Sequence, residues 1–233
     1  MNKLLLAGAC AASIMLGVSS VQAADLYEPV AQTPGWYVSL FGGASFLDDV
    51  EITYSNSGTA GLSETETDAG FIVGGAIGMH INPNMRAEVE VSYFENSVSQ
   101  LEYPYTPASF SASGHVSSVN LLLNVWHDFD MGGGFIPYIG GGAGVGFVDA
   151  RAFRPNPPDD YNELTGSDVG FAFQVGAGLK YALTDMIAAD VGYRFRGILD
   201  VNLPSDDPDQ LNASTDIYGH FVQAGVTINM NGM

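Results

Sequence analysis

The segment at residues 137–147, PYIGGGAGVGF, constrains the fold of this chain more than any other. In an extended strand, successive side chains point to opposite faces. One face of this segment would carry mostly apolar residues, and the other would carry Tyr138 followed only by glycines. Such a strand suits a narrow closed barrel, which has an apolar exterior and leaves room inside for side chains from opposite strands. A phosphate-binding glycine loop does not fit, because neither the G-x-G-x-x-G register nor a following Gly-Lys-Ser/Thr is present.

The first 23 residues have the pattern of a secretory signal peptide. Lys3 supplies a positive charge, residues 4–18 form a short apolar core, and small residues precede the expected cleavage after Ala23. Cleavage would remove Cys10, the one cysteine of the sequence, so we expect a mature fold without disulfides. Residues 24–35 are then predicted to be a short periplasmic leader, and residues 36–233 the folded domain.

Composition excludes several classes of protein. Loss of Lys3 leaves six basic and 26 acidic residues, so the mature net charge is about −20. An acidic surface repels nucleic acid, which is therefore not an expected partner. The sequence is nevertheless 46% hydrophobic and only 14% charged, although no mature segment approaches the ~18 apolar residues of a membrane helix. A membrane-spanning β-barrel explains both facts, because alternating strands hide their apolar residues from a helix-length window.

Apolar alternation recurs in eight segments, whose connections are alternately long and short. The long connections are at about 48–68, 95–114, 151–167 and 199–214. Outer-membrane barrels have short periplasmic turns and long external loops. The sequence therefore predicts an all-β fold, an eight-stranded antiparallel transmembrane up-and-down β-barrel with four long external loops.

Aromatic residues on the predicted outer face collect near both ends of the strands, as expected of the two interfacial belts of a membrane barrel. The predicted lipid-interface girdle comprises Trp36, Phe46, Phe71, Tyr93, Phe129, Phe135, Phe147, Phe171, Tyr181, Phe195 and Tyr218.

Charged residues on the predicted inner face are the candidate functional cluster. An eight-stranded barrel barely leaves room for side chains, so charges inside it must be paired or hydrated. The favoured interpretation is a salt-bridged plug, and the alternative is a narrow pore for ions or small solutes. The predicted lumen cluster comprises Arg86, Glu88, Glu90, Lys180, Asp190, Arg194 and Arg196.

Several short motifs are informative, namely GWYV at 35–38, VNLL at 119–122, DF at 128–129, PYIG at 137–140, GYRF at 192–195 and GVTI at 225–228. Together they resemble the eight-stranded "porin family" barrels of Gram-negative outer membranes, which include opacity-type and surface-antigen proteins. The resemblance implies a monomer in the bacterial outer membrane. Its partners would be outer-membrane lipid and lipopolysaccharide, the barrel assembly machinery and possible host or envelope partners of the loops. Family members commonly end in an aromatic residue, whereas Met230 holds that place here.

His115-x-Ser117 is the one arrangement with enzymatic character. It resembles the His-x-Ser pair of outer-membrane lipid A deacylases, but the residues after Ser117 depart from that family and the sequence identifies no acidic partner. We therefore predict no catalytic residue, no metal site and no cofactor. The predicted function is structural: the barrel supports the envelope and presents acidic external loops as an antigen or adhesion surface. A pore is the first alternative, and a lipid A-modifying hydrolase is the second.

Overall fold

The computed structural model describes residues 35–48, 50–56, 59–102, 109–153, 164–203 and 213–230. The predicted signal peptide and nearly all of the predicted leader lie outside these residues. Within the described ranges, no helix is long and apolar enough to cross a membrane. The strands are β1 (Trp36–Leu47), β2 (Val50–Asn56), β3 (Thr59–Thr67), β4 (Gly70–Asn82), β5 (Met85–Glu102), β6 (Ser109–Asp128), β7 (Phe135–Phe153), β8 (Leu164–Ala182), β9 (Ile187–Leu203) and β10 (Ala213–Asn229).

The sheet closes on itself, because β1 pairs with β4 on one side and with β10 on the other. The ten strands occupy eight positions around the barrel, and every pairing is antiparallel. At one end β2 continues the path of β1 and pairs with β3 and β10, while β3 leads into β4 and pairs with β5. The predicted eight-stranded antiparallel barrel is confirmed.

The short connections β4–β5, β6–β7 and β8–β9 lie at the same end of the barrel, which we call the turn end; the opposite end is the loop end. The turn between β6 and β7 contains three successive glycines, Gly132, Gly133 and Gly134, with φ of 74°, 66° and 84°. Residues other than glycine rarely adopt this left-handed backbone conformation, so the three glycines allow the chain to reverse direction between β6 and β7.

The strands reach farther toward the loop end than the alternation predicts. β5 ends at Glu102 and β6 begins at Ser109, so much of the predicted loop at 95–114 is strand. Strands also enter the other three predicted loops, and the segment at 48–68 contains β2 and β3. The predicted loop bounds were therefore too wide. Apolar alternation identifies only the part of a strand that faces apolar surroundings, and these strands continue beyond it.

The interior of the barrel is filled by side chains and divides into two halves. The buried side chains of the turn half are mostly charged or polar, whereas those of the loop half are mostly apolar, with Ser45, Asn96 and Asn120 as buried polar exceptions. Buried side chains of the turn half include Tyr37, Arg86, Glu88, Glu90, Ser92, Asn124, Trp126, Asp128, Tyr138, Gln174, Lys180, Arg194 and Arg196. The loop half contains Ile72, Phe94, Val98, Val116, Leu122, Val148, Ala150, Ala172, Ile198, Val201, Ile217 and Phe221.

Candidate functional site

The structure places the predicted lumen charges inside the turn half. Their strands present alternate residues inward, so charges at i and i+2 share the interior face. Of the seven, Asp190 is half-buried near the turn end. The other six are buried, namely Arg86, Glu88, Glu90, Lys180, Arg194 and Arg196.

Asp128, which the predicted cluster omits, joins two of these cations. Its carboxylate accepts hydrogen bonds from Arg86 Nε at 3.1 Å and from Lys180 Nζ at 3.0 Å. All three side chains are 8% exposed or less. The alternation of β6 in the sequence already indicates that Asp128 points inward, but it does not identify the partners of Asp128, which lie on β5 and β8. The contact therefore depends on the stagger of the closed barrel, which the sequence does not specify.

Glu88 lies at the centre of a second set of hydrogen bonds. Its carboxylate accepts from Tyr37 Oη and Trp126 Nε1, each at 2.7 Å, and from Asn124 Nδ2 at 3.2 Å. Arg86 Nη1 lies 3.3 Å from the same carboxylate. Buried charges are tolerated when they are paired and hydrogen-bonded, and Glu88 meets both conditions. The aromatic donors to Glu88 were not part of the predicted cluster.

Glu90 is the most enclosed carboxylate, with a side chain 2% exposed. Arg196 Nη2 donates to it at 2.7 Å, Gln174 Nε2 at 2.9 Å and Asn124 Nδ2 at 3.0 Å. Ser92 Oγ donates to it at 3.0 Å and accepts from Arg196 Nη1 at 2.7 Å. Residues from four strands therefore meet at one carboxylate, which ties opposite walls of the barrel together.

Arg194 differs from the other three buried cations because, among the described residues, it forms no salt bridge, and its contacts are mainly with aromatic groups. Its guanidinium carbon lies 4.2 Å from the centre of the Trp126 ring, and its Nη2 donates to Tyr138 Oη at 3.1 Å. The space that these long side chains occupy is provided by inward glycines. A Cβ added to Gly178 would lie 2.4 Å from Tyr138 Oη, and one added to Gly176 would lie 2.5 Å from Arg194 Cδ. These two glycines of β8 thus accommodate an arginine and a tyrosine.

The loop half closes the interior by apolar packing. Phe94 and Phe221 meet edge to face with ring centres 5.2 Å apart, and both are no more than 2% exposed. Leu122 and Ile198 pack in the same cluster. Sequence parity already places these residues inward, so the signal for a second, apolar half was present but was not recognised.

The outer face carries the predicted girdle residues. Eight of the eleven are exposed, and Tyr93, Phe195 and Tyr218 are half-buried by neighbouring side chains. Phe195 and Tyr218 stack almost parallel, with ring centres 6.0 Å apart. The exposed girdle residues are Trp36, Phe46, Phe71, Phe129, Phe135, Phe147, Phe171 and Tyr181.

His115 and Ser117 lie on the outer side of β6 near the loop end. The structure supplies the acidic neighbour that the sequence could not identify, because Asp149 Oδ1 lies 3.6 Å from His115 Nε2. Ser117, however, is buried, and its hydroxyl donates to the carbonyl oxygen of Asp149 at 3.4 Å. That hydroxyl is engaged in a contact between β6 and β7, and this engagement does not favour a nucleophilic role for Ser117. Among the described residues, no three His, Cys, Asp or Glu side chains are grouped as a metal site.

Comparison with known proteins identifies the family. The sequence matches the outer membrane protein beta-barrel domain over residues 11–229. A Rickettsia conorii protein named as a candidate adhesin is 22% identical and aligns over 99% of this chain and 100% of its own length.

Two solved structures share the fold. The outer membrane protein OprG from Pseudomonas aeruginosa has a TM-score of 0.55 at 15% identity, over 84% of this chain and 97% of OprG. The outer membrane protease OmpT from Escherichia coli has a TM-score of 0.55 at 12% identity, over 87% of this chain and 99% of OmpT. The family match extends over most of the sequence and agrees with the closed barrel. The chain is therefore a barrel of the bacterial outer membrane and belongs to the outer membrane protein beta-barrel domain family.

Proposed function

We propose that this protein is a closed, non-catalytic surface barrel that supports the outer envelope and presents an acidic external surface for adhesion or as an antigen. The filled interior is the observation that carries this proposal. In the turn half, Arg196, Gln174 and Asn124 converge on Glu90, and in the loop half Phe94 packs against Phe221. A conducting pore needs a continuous hydrated path, and both sets of contacts oppose one.

The external surface supports the second part of the proposal. Short turns of such barrels face the periplasm, so the loop end faces outward. The connecting sequences at this end are rich in carboxylates, including Asp159, Asp160, Asp206 and Asp207, which lie outside the described residues. The Rickettsia conorii relative, named as a candidate adhesin, aligns over nearly the whole chain and favours a contact role. We further propose that the barrel acts as a monomer and is inserted by the barrel assembly machinery.

The absence of catalysis is also a proposal, because fold alone does not decide it. OmpT is a protease with a similar fold. The hydrolase alternative requires a free Ser117 hydroxyl, and the bond from that hydroxyl to the Asp149 carbonyl argues against it. Prolonged incubation of the folded barrel with lipid A should leave the lipid intact by mass spectrometry. Release of an acyl chain, lost in Ser117→Ala, would establish the hydrolase instead.

Conductance tests the closed interior directly. The mature chain, refolded into a planar bilayer, should show no steady channel openings. The control is the double variant Phe94→Ala/Phe221→Ala, which removes both rings from the loop half and should give measurable leakage if that half is the seal. Steady openings of the unchanged protein, altered by Arg196→Met, would support the pore alternative and contradict the closed barrel.

Adhesion tests the surface role. Vesicles that carry the barrel should bind to epithelial cells more than empty vesicles do. A variant with Asp159, Asp160, Asp206 and Asp207 changed to Asn should lose this difference, whereas Asp185→Asn at the turn end should retain it. Equal binding by loaded and empty vesicles would remove adhesion from the proposal.

A further inference from the structure

Cations are distributed unevenly in this acidic protein. Four of the seven Lys and Arg residues are buried in the turn half, and Lys3 and Arg154 lie outside the described residues. Among the described residues, Arg151 is the one Lys or Arg side chain on the outer surface, and it is 57% exposed.

Arg151 lies on the outward face of β7, four residues beyond Phe147 of the loop-end girdle. With a rise of ~3.4 Å per residue and a strand tilt of ~40°, this places it about 10 Å beyond the aromatic belt. The aromatic belt marks the boundary between hydrocarbon and headgroups, and the headgroup layer on each side of a bilayer is about 5–8 Å thick. The long side chain of Arg151 can extend back along the barrel surface into that layer. Arg151 therefore faces the level at which lipid phosphates lie.

His115 lies beside Arg151, because the two residues are direct cross-strand partners of β6 and β7. Asp149 joins them: its Oδ1 is 3.6 Å from His115 Nε2 and 3.6 Å from Arg151 Nε. The guanidinium contacts this carboxylate through Nε, which leaves the edge formed by its two terminal nitrogens for another anion. Such an edge matches two oxygens of a phosphate group.

Nearby carboxylates do not block this edge. Asp149 is shared between His115 and Arg151. Glu95, which lies in the same cross-strand row as Asp149 through Ser117, accepts a hydrogen bond from the Tyr93 hydroxyl. Both carboxylates are therefore engaged, whereas the side chains of Arg151 and His115 remain 57% and 38% exposed.

We propose that Arg151 and His115 form a binding site for the phosphate group of an outer-leaflet lipid. Arg151 supplies the bidentate contact, His115 supplies a second donor, and Asp149 orients both. The site attaches one side of the barrel, the β6–β7 side, to a phosphorylated lipid. This inference goes beyond the proposed function and rests only on the outer-membrane location.

The experiment uses the folded barrel in phosphatidylcholine vesicles that contain a minor fraction of lipid A, extracted gently for native mass spectrometry. The unchanged protein should retain lipid A in preference to phosphatidylcholine. Arg151→Gln should reduce this preference about tenfold, the scale of one charge-assisted contact, and Arg151→Lys should retain part of it. Gel mobility of unheated samples verifies that each variant is folded.

His220 provides a matched control on the opposite side of the barrel. Its Nε2 lies 3.2 Å from Asp48 Oδ1, so the two residues form a His–Asp pair like that of His115 and Asp149. Among the described residues, no Lys or Arg side chain forms a salt bridge with the Asp48 carboxylate. His220→Gln should leave lipid A retention unchanged, whereas His115→Gln should weaken it. Equal retention by Arg151→Gln and the unchanged protein would overturn the proposal. Displacement of lipid A by inorganic phosphate at matched concentration would overturn the lipid assignment and indicate a site for soluble phosphate.

Discussion

Along strand β5, Glu90 is held by Arg196, Gln174 and Ser92, whereas Phe94, four residues farther on, packs against Phe221. The two halves of the interior are therefore closed by different chemistry within a short distance. In the turn half, each buried charge depends on a particular partner, since an unpaired charge is costly. In the loop half, the contacts among the apolar side chains are not directional, so the volume of these side chains matters more than their identity. The comparison shows that one barrel can be filled by two mechanisms that respond differently to substitution.

The largest expected loss of folding stability is for a substitution in the turn half. Arg196→Met removes the cation that faces Glu90, and both side chains are at most 4% exposed. The loss should be about 3–5 kcal/mol, because a buried carboxylate remains without its counter-charge. Equilibrium urea unfolding in lipid vesicles measures it. The double variant Arg196→Met/Glu90→Gln should recover most of the loss; a double variant as unstable as the single one would refute the pairing argument.

The corresponding test in the loop half changes the volume of a buried side chain. Leu122→Ala should cost about 3 kcal/mol, through lost burial and a cavity. Leu122, Gly144 and Ala172 lie in one cross-strand row, and Gly144 contributes no side chain between the other two. The swap Leu122→Ala/Ala172→Leu should therefore restore most of the stability, measured by the same unfolding assay. Failure of the swap would show that shape as well as volume matters in this half.

A smaller effect is expected where glycine makes room for the turn half. A Cβ on Gly192 would lie 2.6 Å from Tyr138 Oη and 2.8 Å from Arg194 Nη1. Gly192→Ala should cost about 1 kcal/mol, because the ends of two side chains must shift. Addition of Tyr138→Phe, which removes the hydroxyl, should make the Gly192 substitution less costly. A double-mutant cycle in thermal unfolding measures this coupling, and strict additivity would contradict the predicted contact.

The smallest expected loss of folding stability is for a substitution outside both halves of the interior. Asp168 lies on β8 beyond Phe171, and its Oδ2 accepts a hydrogen bond from the backbone N–H of Asn202 at 2.6 Å. Backbone hydrogen bonds from Asn202 and Val169 lower the pKa of Asp168. The lowered pKa means that Asp168 stabilises the fold above its unfolded pKa of about 4 and loses this contribution as the pH falls below that value. Asp168→Asn should lower the melting temperature slightly at pH 7 and not at low pH; an equal difference at both pH values would exclude the charge effect.

The fold was largely predictable from sequence, and the interior contacts were not. Period-two alternation predicts an apolar outer face on each strand, and in the structure Val119, Leu121 and Leu123 are exposed whereas the alternate residues Asn120 and Asn124 are buried. The alternation depends only on local strand geometry. It fades where the outer face becomes polar, and for this reason the predicted strands ended too early.

The partners of the buried charges depend on long-range register. Asp128 meets Arg86 and Lys180 across three strands, and Glu88 meets Tyr37 and Trp126. A sequence identifies the face of each residue, but the stagger that brings distant residues to the same height belongs to the closed barrel. The burial of Ser117 was missed for a related reason, since its neighbour Asp149 comes from the adjacent strand.

The positions of the two tryptophans have a consequence for spectroscopy. Trp36 is 55% exposed on the outer face at the turn end, whereas Trp126 is fully buried beside Arg194 and donates to Glu88. A quencher attached to lipid chains should therefore reach Trp36 and not Trp126. In the Trp126→Phe variant, the fluorescence of Trp36 reports contact of the outer face with the bilayer. In the Trp36→Phe variant, the fluorescence of Trp126 reports assembly of the charged interior. The chain thus carries two built-in reporters, which can separate the time of membrane insertion from the time at which the barrel fills.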